Sequence, residues 1–75
     1  MRLLRNYGIY RLPGHVRQVY VVRVGGAYLL YDLDFGSSIP PRFEALPDGR
    51  IRDWHGGLTP WTTEDLVDTC ETRDL

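Results

Sequence analysis

Val16-Arg17-Gln18-Val19-Tyr20-Val21-Val22-Arg23-Val24-Gly25-Gly26-Ala27-Tyr28-Leu29-Leu30-Tyr31-Asp32-Leu33-Asp34 is a pair of valine-, leucine- and tyrosine-rich stretches around two glycines. Such residues favour extended chain, and a glycine pair between them supplies the positive φ of a two-residue primed turn. The stretch therefore reads as a tight hairpin. Its turn sets Val24 opposite Ala27, Val22 opposite Leu29, Tyr20 opposite Tyr31 and Gln18 opposite Leu33. That face is nearly all apolar and is expected to be core. The reverse face pairs Arg23 with Tyr28, Val21 with Leu30, Val19 with Asp32 and Arg17 with Asp34, and its apolar centre needs a cover. A slip of one residue would mix the two sets, so the alternation itself holds the register.

Working outward, Tyr7 to Leu12 is a shorter strand that turns at Leu12-Pro13-Gly14-His15, where proline pre-sets one dihedral and glycine the next. Downstream, Phe35 to Pro41 is a loop. Arg42 to Leu46 and Arg50 to Trp54 then flank Pro47-Asp48-Gly49, a three-residue connection that sets Glu44 opposite Arg52 and Ala45 opposite Ile51. Gly56-Gly57 breaks the strand after His55. In the tail Thr62 is a good N-cap, with Glu64 and Asp65 where the helix dipole favours acids, and Trp61 with Leu66 make a hydrophobic staple. Leu66, Val67 and Cys70 share a helical face, which predicts a helix over Thr63 to Glu71 with Asp65, Asp68 and Glu71 on its solvated side.

These elements predict a mainly β fold. It is a small, strongly bent antiparallel sheet or partly open SH3-like barrel of about five strands with a short C-terminal α-helix, forming one domain over residues 1–75. SH3-like and OB-like modules resemble this arrangement in architecture alone; no sequence motif carries the likeness further.

Composition narrows the function. A chain of 75 residues buries only about 60% of its unfolded surface, so stability is marginal without a staple or a partner. Cys70 is the single cysteine, which excludes an intrachain disulfide. His15 and His55 lie far apart, with no CxxC, so no metal or cofactor is expected. Apolar runs such as Val19–Val22 fall well short of the roughly 18 residues of a membrane span. Met1 to Gly8 opens like a signal peptide but turns polar too soon, so the expected location is cytoplasmic. All nine basic residues are arginine, which base composition explains more simply than recognition does.

Charge is unevenly spread. The first 31 residues hold five arginines and no acid; the remaining 44 hold four arginines and ten acids. Docking the acidic helix beside the first strand would neutralise Arg2, Arg5 and Arg11 together with the helix acids, and that is the expected outcome. Catalysis is not expected: nothing brings Cys70 to a histidine, and it reads as a small buried hydrophobe. Asp53-Trp54-His55-Gly56-Gly57 is the best local site, although a strand end with Trp54 buried in the core accounts for it without a ligand. Ser38-Ile39-Pro40-Pro41-Arg42 reads first as a rigid spacer and second as a presented contact.

The expected function is a non-enzymatic binding or accessory module for protein–protein interaction, as a homodimer or as a subunit of a larger complex. Arg11, Arg23, Tyr28, Trp54 and His55, with Arg42, are its candidate binding residues, chosen for expected exposure and residue type. The alternative is a nucleic-acid-binding domain. It would use the arginines and tyrosines of the first two strands (Arg5, Tyr7, Tyr10, Arg11, Arg17, Tyr20, Arg23, Tyr28), against a pI near 6.0 that attracts phosphate weakly.

Overall fold

The computed structural model describes residues 2–14 and 18–73. Seven strands, β1 (Gly8–Arg11), β2 (Gln18–Val24), β3 (Ala27–Asp32), β4 (Phe43–Ala45), β5 (Arg50–Asp53), β6 (Leu58–Thr62) and β7 (Val67–Thr72), form one sheet. Their order is β6-β5-β4-β3-β2-β1-β7, and every pairing is antiparallel. No helix among the described residues is long and apolar enough to cross a membrane.

Both hairpin registers follow the turns. Val24 pairs with Ala27, Val22 with Leu29 and Tyr20 with Tyr31, and Gly25 takes φ 60° to close the connection. Glu44 pairs with Arg52 and Ala45 with Ile51, with Gly49 at φ 93°. The proposed Arg17–Asp34 pair and the His15 end of the first turn lie outside the described residues.

The face of the first hairpin that joins the core cluster is the reverse of the one expected, although Tyr20 on the expected face is also buried, opposite Ile9 of β1. Val19, Val21, Tyr28 and Leu30 join the core cluster with Leu4, Tyr10, Leu12, Ala45, Ile51 and Leu66. Val22 and Leu29 are half-buried and Val24 is exposed. The cause lies in β4. Tyr28 pairs with Ala45 and Leu30 with Phe43, whereas Leu29 pairs with Glu44, which in turn pairs with Arg52. Charged residues of β4 and β5 thus claim the Leu29 side of their end of the sheet for solvent, since side chains opposite one another on a face are neighbours.

Strand number and the C-terminus also differ from expectation. β6 contains Pro60, which suits an edge strand because proline has no N–H to give to a neighbour. The helix is absent. Thr62 starts a turn as its sequence promised, its N–H donating to Asp65 Oδ2 at 2.9 Å, but only one 3-10 turn forms over Thr63–Asp65. Leu66 is already extended, and the chain continues as β7 against β1. An isolated helix of this length is marginal in water, while the open edge of β1 offers backbone partners to a segment carrying Val67, Thr69 and Thr72.

Consecutive pairing from β1 to β6, followed by return of β7 to β1, bends the sheet. Laid flat, seven strands would put β6 and β7 about 29 Å apart. Residues 63–66 join the two edges, and so short a link spans at most about 19 Å. The sheet is therefore curled into a half-barrel with its core on the concave side, and its extents are a near-isotropic 28 × 27 × 24 Å. Leu66 on the link is 3% exposed and belongs to the core. Arg2 ties the link down by donating through Nη1 to the carbonyls of Thr63 and Leu66.

Docking of the tail neutralises Arg5 in the way charge suggested, though with a strand in place of a helix. Arg5 makes a two-pronged pair with Asp68 (Nη2–Oδ1 2.7 Å, Nε–Oδ2 3.2 Å) and donates to Thr72 Oγ1 and the Glu71 carbonyl. Arg11 is exposed and has no ion pair among the described residues. Farther along, Arg73 lies 4.3 Å from the centre of the Tyr20 ring, which itself stacks on Tyr31 at 5.4 Å.

Candidate functional site

Asp53 builds the β5–β6 turn. Its N–H donates to the Gly57 carbonyl (2.8 Å), its carbonyl accepts from Gly56 N–H (3.0 Å), and Gly56 takes φ 88°. Its Oδ1 also accepts from the N–H groups of His55 (2.9 Å) and Gly57 (3.0 Å). The connection Trp54-His55-Gly56 thus has the same design as Pro47-Asp48-Gly49, where Leu46 N–H reaches the Arg50 carbonyl and Gly49 N–H the Leu46 carbonyl. The difference is what stands at the tip. One turn carries proline and aspartate, ordinary turn residues; the other carries an indole and an imidazole.

Trp54 is 60% exposed, so the reading of it as core is overturned. Tight-turn geometry makes it so: residues at the tip of a three-residue connection project beyond the sheet and cannot reach the concave side. Two clefts border its side chain. One, of about 350 Å³, is lined by residues 39–43 and 53–55, that is Ile39 through Phe43 and Asp53 through His55. The other, of about 210 Å³, shares Pro41, Phe43, Asp53 and Trp54 and adds Leu29, Glu44 and Arg52. Phe43 anchors both, since it packs on the core and meets Trp61 edge-on at 5.9 Å.

The partner segment of the larger cleft owes its position to β3. A 3-10 turn over Gly36–Ser38 ends at extended Ile39, the two prolines stiffen the path, and Arg42 N–H donates to the Leu30 carbonyl at 2.8 Å. The Arg42 guanidinium lies 3.8 Å from Asp32 Oδ2, and Asp32 is buried with its Oδ1 accepting from Asp34 N–H.

The three sequence-nominated residues Arg42, Trp54 and His55 therefore come together on one cleft. The other three do not join them. Tyr28 is 5% exposed and part of the core, for the same β4-imposed reason that reversed the hairpin faces. Arg11 sits on β1 between Gln18 and Val67. Arg23 lies near the β2–β3 turn, exposed, with its N–H held by Asn6 Oδ1 at 3.0 Å. Sequence reasoning passed over Phe43 and took Pro40–Pro41 chiefly as a spacer; the proline pair was the available signal. Of the tyrosines nominated for base stacking, Tyr10, Tyr20 and Tyr28 are buried and Tyr7 is half-buried.

Cys70 is exposed, which corrects its reading as a buried hydrophobe. It has φ 63° within an irregularity where Glu71 faces Ile9 and Asp68 faces Tyr10, leaving Thr69 and Cys70 as additional residues. Asp68 Oδ1 accepts from Cys70 N–H, and together with Arg5 this holds the Asp68 carboxyl below its ordinary value, the Arg5 hydrogen bond being the larger cause. Asp48 is lowered similarly by Arg50, through its backbone and then its side chain. Both shifted acids lie outside the two clefts, so they mark structural pairs. Among the described residues no group of three or more His, Cys, Asp or Glu is arranged to hold a metal ion.

No family model matches the sequence, no curated protein matches it, and no solved structure matches its fold.

Proposed function

We propose that this domain is a non-enzymatic protein-binding module, acting in the cytoplasm, whose contact surface is the double cleft around Trp54. One observation carries the reading: an exposed tryptophan stands on a turn locked by its own hydrogen bonds and borders two clefts rooted on Phe43. Tryptophan is the residue type most enriched at binding hot spots, and a turn already fixed before contact avoids much of the ordering cost of association. The proline pair stiffens the opposite segment in the same way. Its half-barrel form is of the kind that SH3-like modules use to present an aromatic groove to peptides.

The test is selection of a random twelve-residue peptide library on the intact domain, with each recovered peptide re-measured on Trp54→Ala by fluorescence anisotropy. Binding is expected to weaken by at least about tenfold, as removal of a tryptophan hot spot does. Retained affinity across the recovered peptides, with the variant's thermal midpoint unchanged, overturns the reading. A single-stranded oligonucleotide run beside the peptides is expected to show no Trp54-dependent binding, and Trp54-dependent binding of it in place of peptides overturns the reading.

A further inference from the structure

We infer that the larger cleft recognises a peptide carboxylate, with Arg42 as the residue that reads it; this rests on the protein-binding function proposed above. Most of the charged groups beside Trp54 are already engaged within the fold. In the smaller cleft Arg52 and Glu44 are joined to each other across β4 and β5, so neither is available without breaking a pair. Asp53, shared by both clefts, spends its Oδ1 on the N–H groups of His55 and Gly57, and its role is to hold the turn. Arg42 differs. Its nearest acid, Asp32 Oδ2, stands at 3.8 Å, beyond hydrogen-bond distance, and its side chain is 43% exposed. No hydrogen bond from its guanidinium is made among the described residues, so the half-exposed side chain of a residue that lines the cleft with Trp54 keeps its fork of N–H donors.

Placement and chemistry agree. A guanidinium matches a carboxylate in two parallel hydrogen bonds, and its distance from Asp32 orients it without using its donors. Pro40, Pro41, Phe43 and Trp54 offer apolar contact on the same cleft, and His55 also lines it. The occupant that fits is an extended peptide with an acidic group next to an apolar or proline side chain. An acidic side chain and a free C-terminus supply the same carboxylate, and the test separates them.

The probe is an N-acetylated, C-amidated hexapeptide with one glutamate among proline and leucine, its Glu→Gln counterpart, and that counterpart with a free C-terminal carboxylate. Each is titrated by isothermal calorimetry into wild type, Arg42→Gln, Arg42→Lys and Trp54→Ala. The glutamate peptide is expected to bind wild type about five- to tenfold better than the glutamine peptide, the gain of one half-exposed charged pair. Arg42→Gln is expected to erase that difference by weakening the glutamate peptide far more than the glutamine peptide, and Arg42→Lys to recover part of it. Preference for the free C-terminus over the glutamate peptide, lost in Arg42→Gln, supports the same carboxylate site with a terminal source. Equal binding of glutamate and glutamine peptides to wild type, or equal loss of both in Arg42→Gln, overturns the inference and leaves the Trp54 cleft standing. Failure of Trp54→Ala to weaken any of them overturns the function beneath it.

Discussion

Replacing Leu66 by alanine tests how the half-barrel is drawn together. Leu66 lies on the short link between the two edge strands, is 3% exposed and packs in the core cluster. Removing three buried carbons loses their transfer energy and leaves a cavity, a cost of about 3 kcal/mol within the usual 2–5 kcal/mol. For a domain this small, total stability is roughly 4–11 kcal/mol and the urea slope about 1 kcal/mol per molar, so the unfolding midpoint should fall by roughly 2–3 M. The neighbouring Val67 is 43% exposed, and Val67→Ala should cost at most about 0.5 kcal/mol. A helical tail would bury Leu66 and Val67 together and make the two changes similar. Urea titration followed by tryptophan fluorescence and far-ultraviolet circular dichroism reads both. A Leu66→Ala shift below about 0.5 M, or a Val67→Ala loss as large as that of Leu66→Ala, would refute the strand-and-link arrangement.

Further outcomes are expected elsewhere. At Gly8 an added Cβ would stand 3.0 Å from the Arg5 Cβ, the Arg5 carbonyl oxygen and Tyr10 Cε1, so Gly8→Ala should cost about 1–3 kcal/mol in a thermal melt, and an unchanged midpoint would contradict that crowding. The Thr63 hydroxyl is buried with no hydrogen-bond partner among the described residues, so Thr63→Val should leave stability unchanged or raise it by about 1 kcal/mol; a loss would reveal a partner for the hydroxyl. Because pairing lowers the Asp68 and Asp48 carboxyls in the folded state, their stabilisation is complete above the ordinary value of 3.8 and is lost as pH falls through the lowered ones. The urea midpoint should therefore drop below about pH 4, and Asp68→Asn should shallow that drop without abolishing it, since Asp48 still titrates. Cys70 should react with one equivalent of a thiol reagent in the native state without denaturant, and protection until unfolding would place it back inside.

The legible part of the sequence was its turns. Gly25-Gly26 and Pro47-Asp48-Gly49 specify two registers that the strands obey, because turn geometry is decided by the few residues within it. What the turns do not decide is which face goes inward. Val22 and Leu29 are as apolar as Val21 and Leu30, and only the pairing of Leu29 with Glu44 breaks the tie. That information sits on another strand, across a loop whose length gives no register. The tail failed for a related reason. Thr62, Glu64 and Asp65 are sound helix-start signals, and they are honoured by one turn. Beyond it, the demand of an unpaired β1 edge outweighs local preference, and no window of sequence within the tail contains that demand. Half of the candidate site followed from residue type: Arg42, Trp54 and His55 were nominated and meet on one cleft. Tyr28 was lost with the face assignment, while Arg11 and Arg23 were nominated for exposure, which says nothing of proximity.

The link between the outer strands also bears on the order in which the domain assembles. Strands β1 to β6 each find a partner next to them in the chain, so the meander can zip from its turns with small loop-closure costs. β7 must instead find a strand nearly the whole chain earlier, where Asp68 meets Tyr10. The entropy of that closure is regained only when the Arg5–Asp68 pair, the Arg2 contacts and Leu66 burial arrive together. β7 should accordingly dock last and detach first, giving its amides the fastest hydrogen exchange of any strand and making its departure the gate to unfolding.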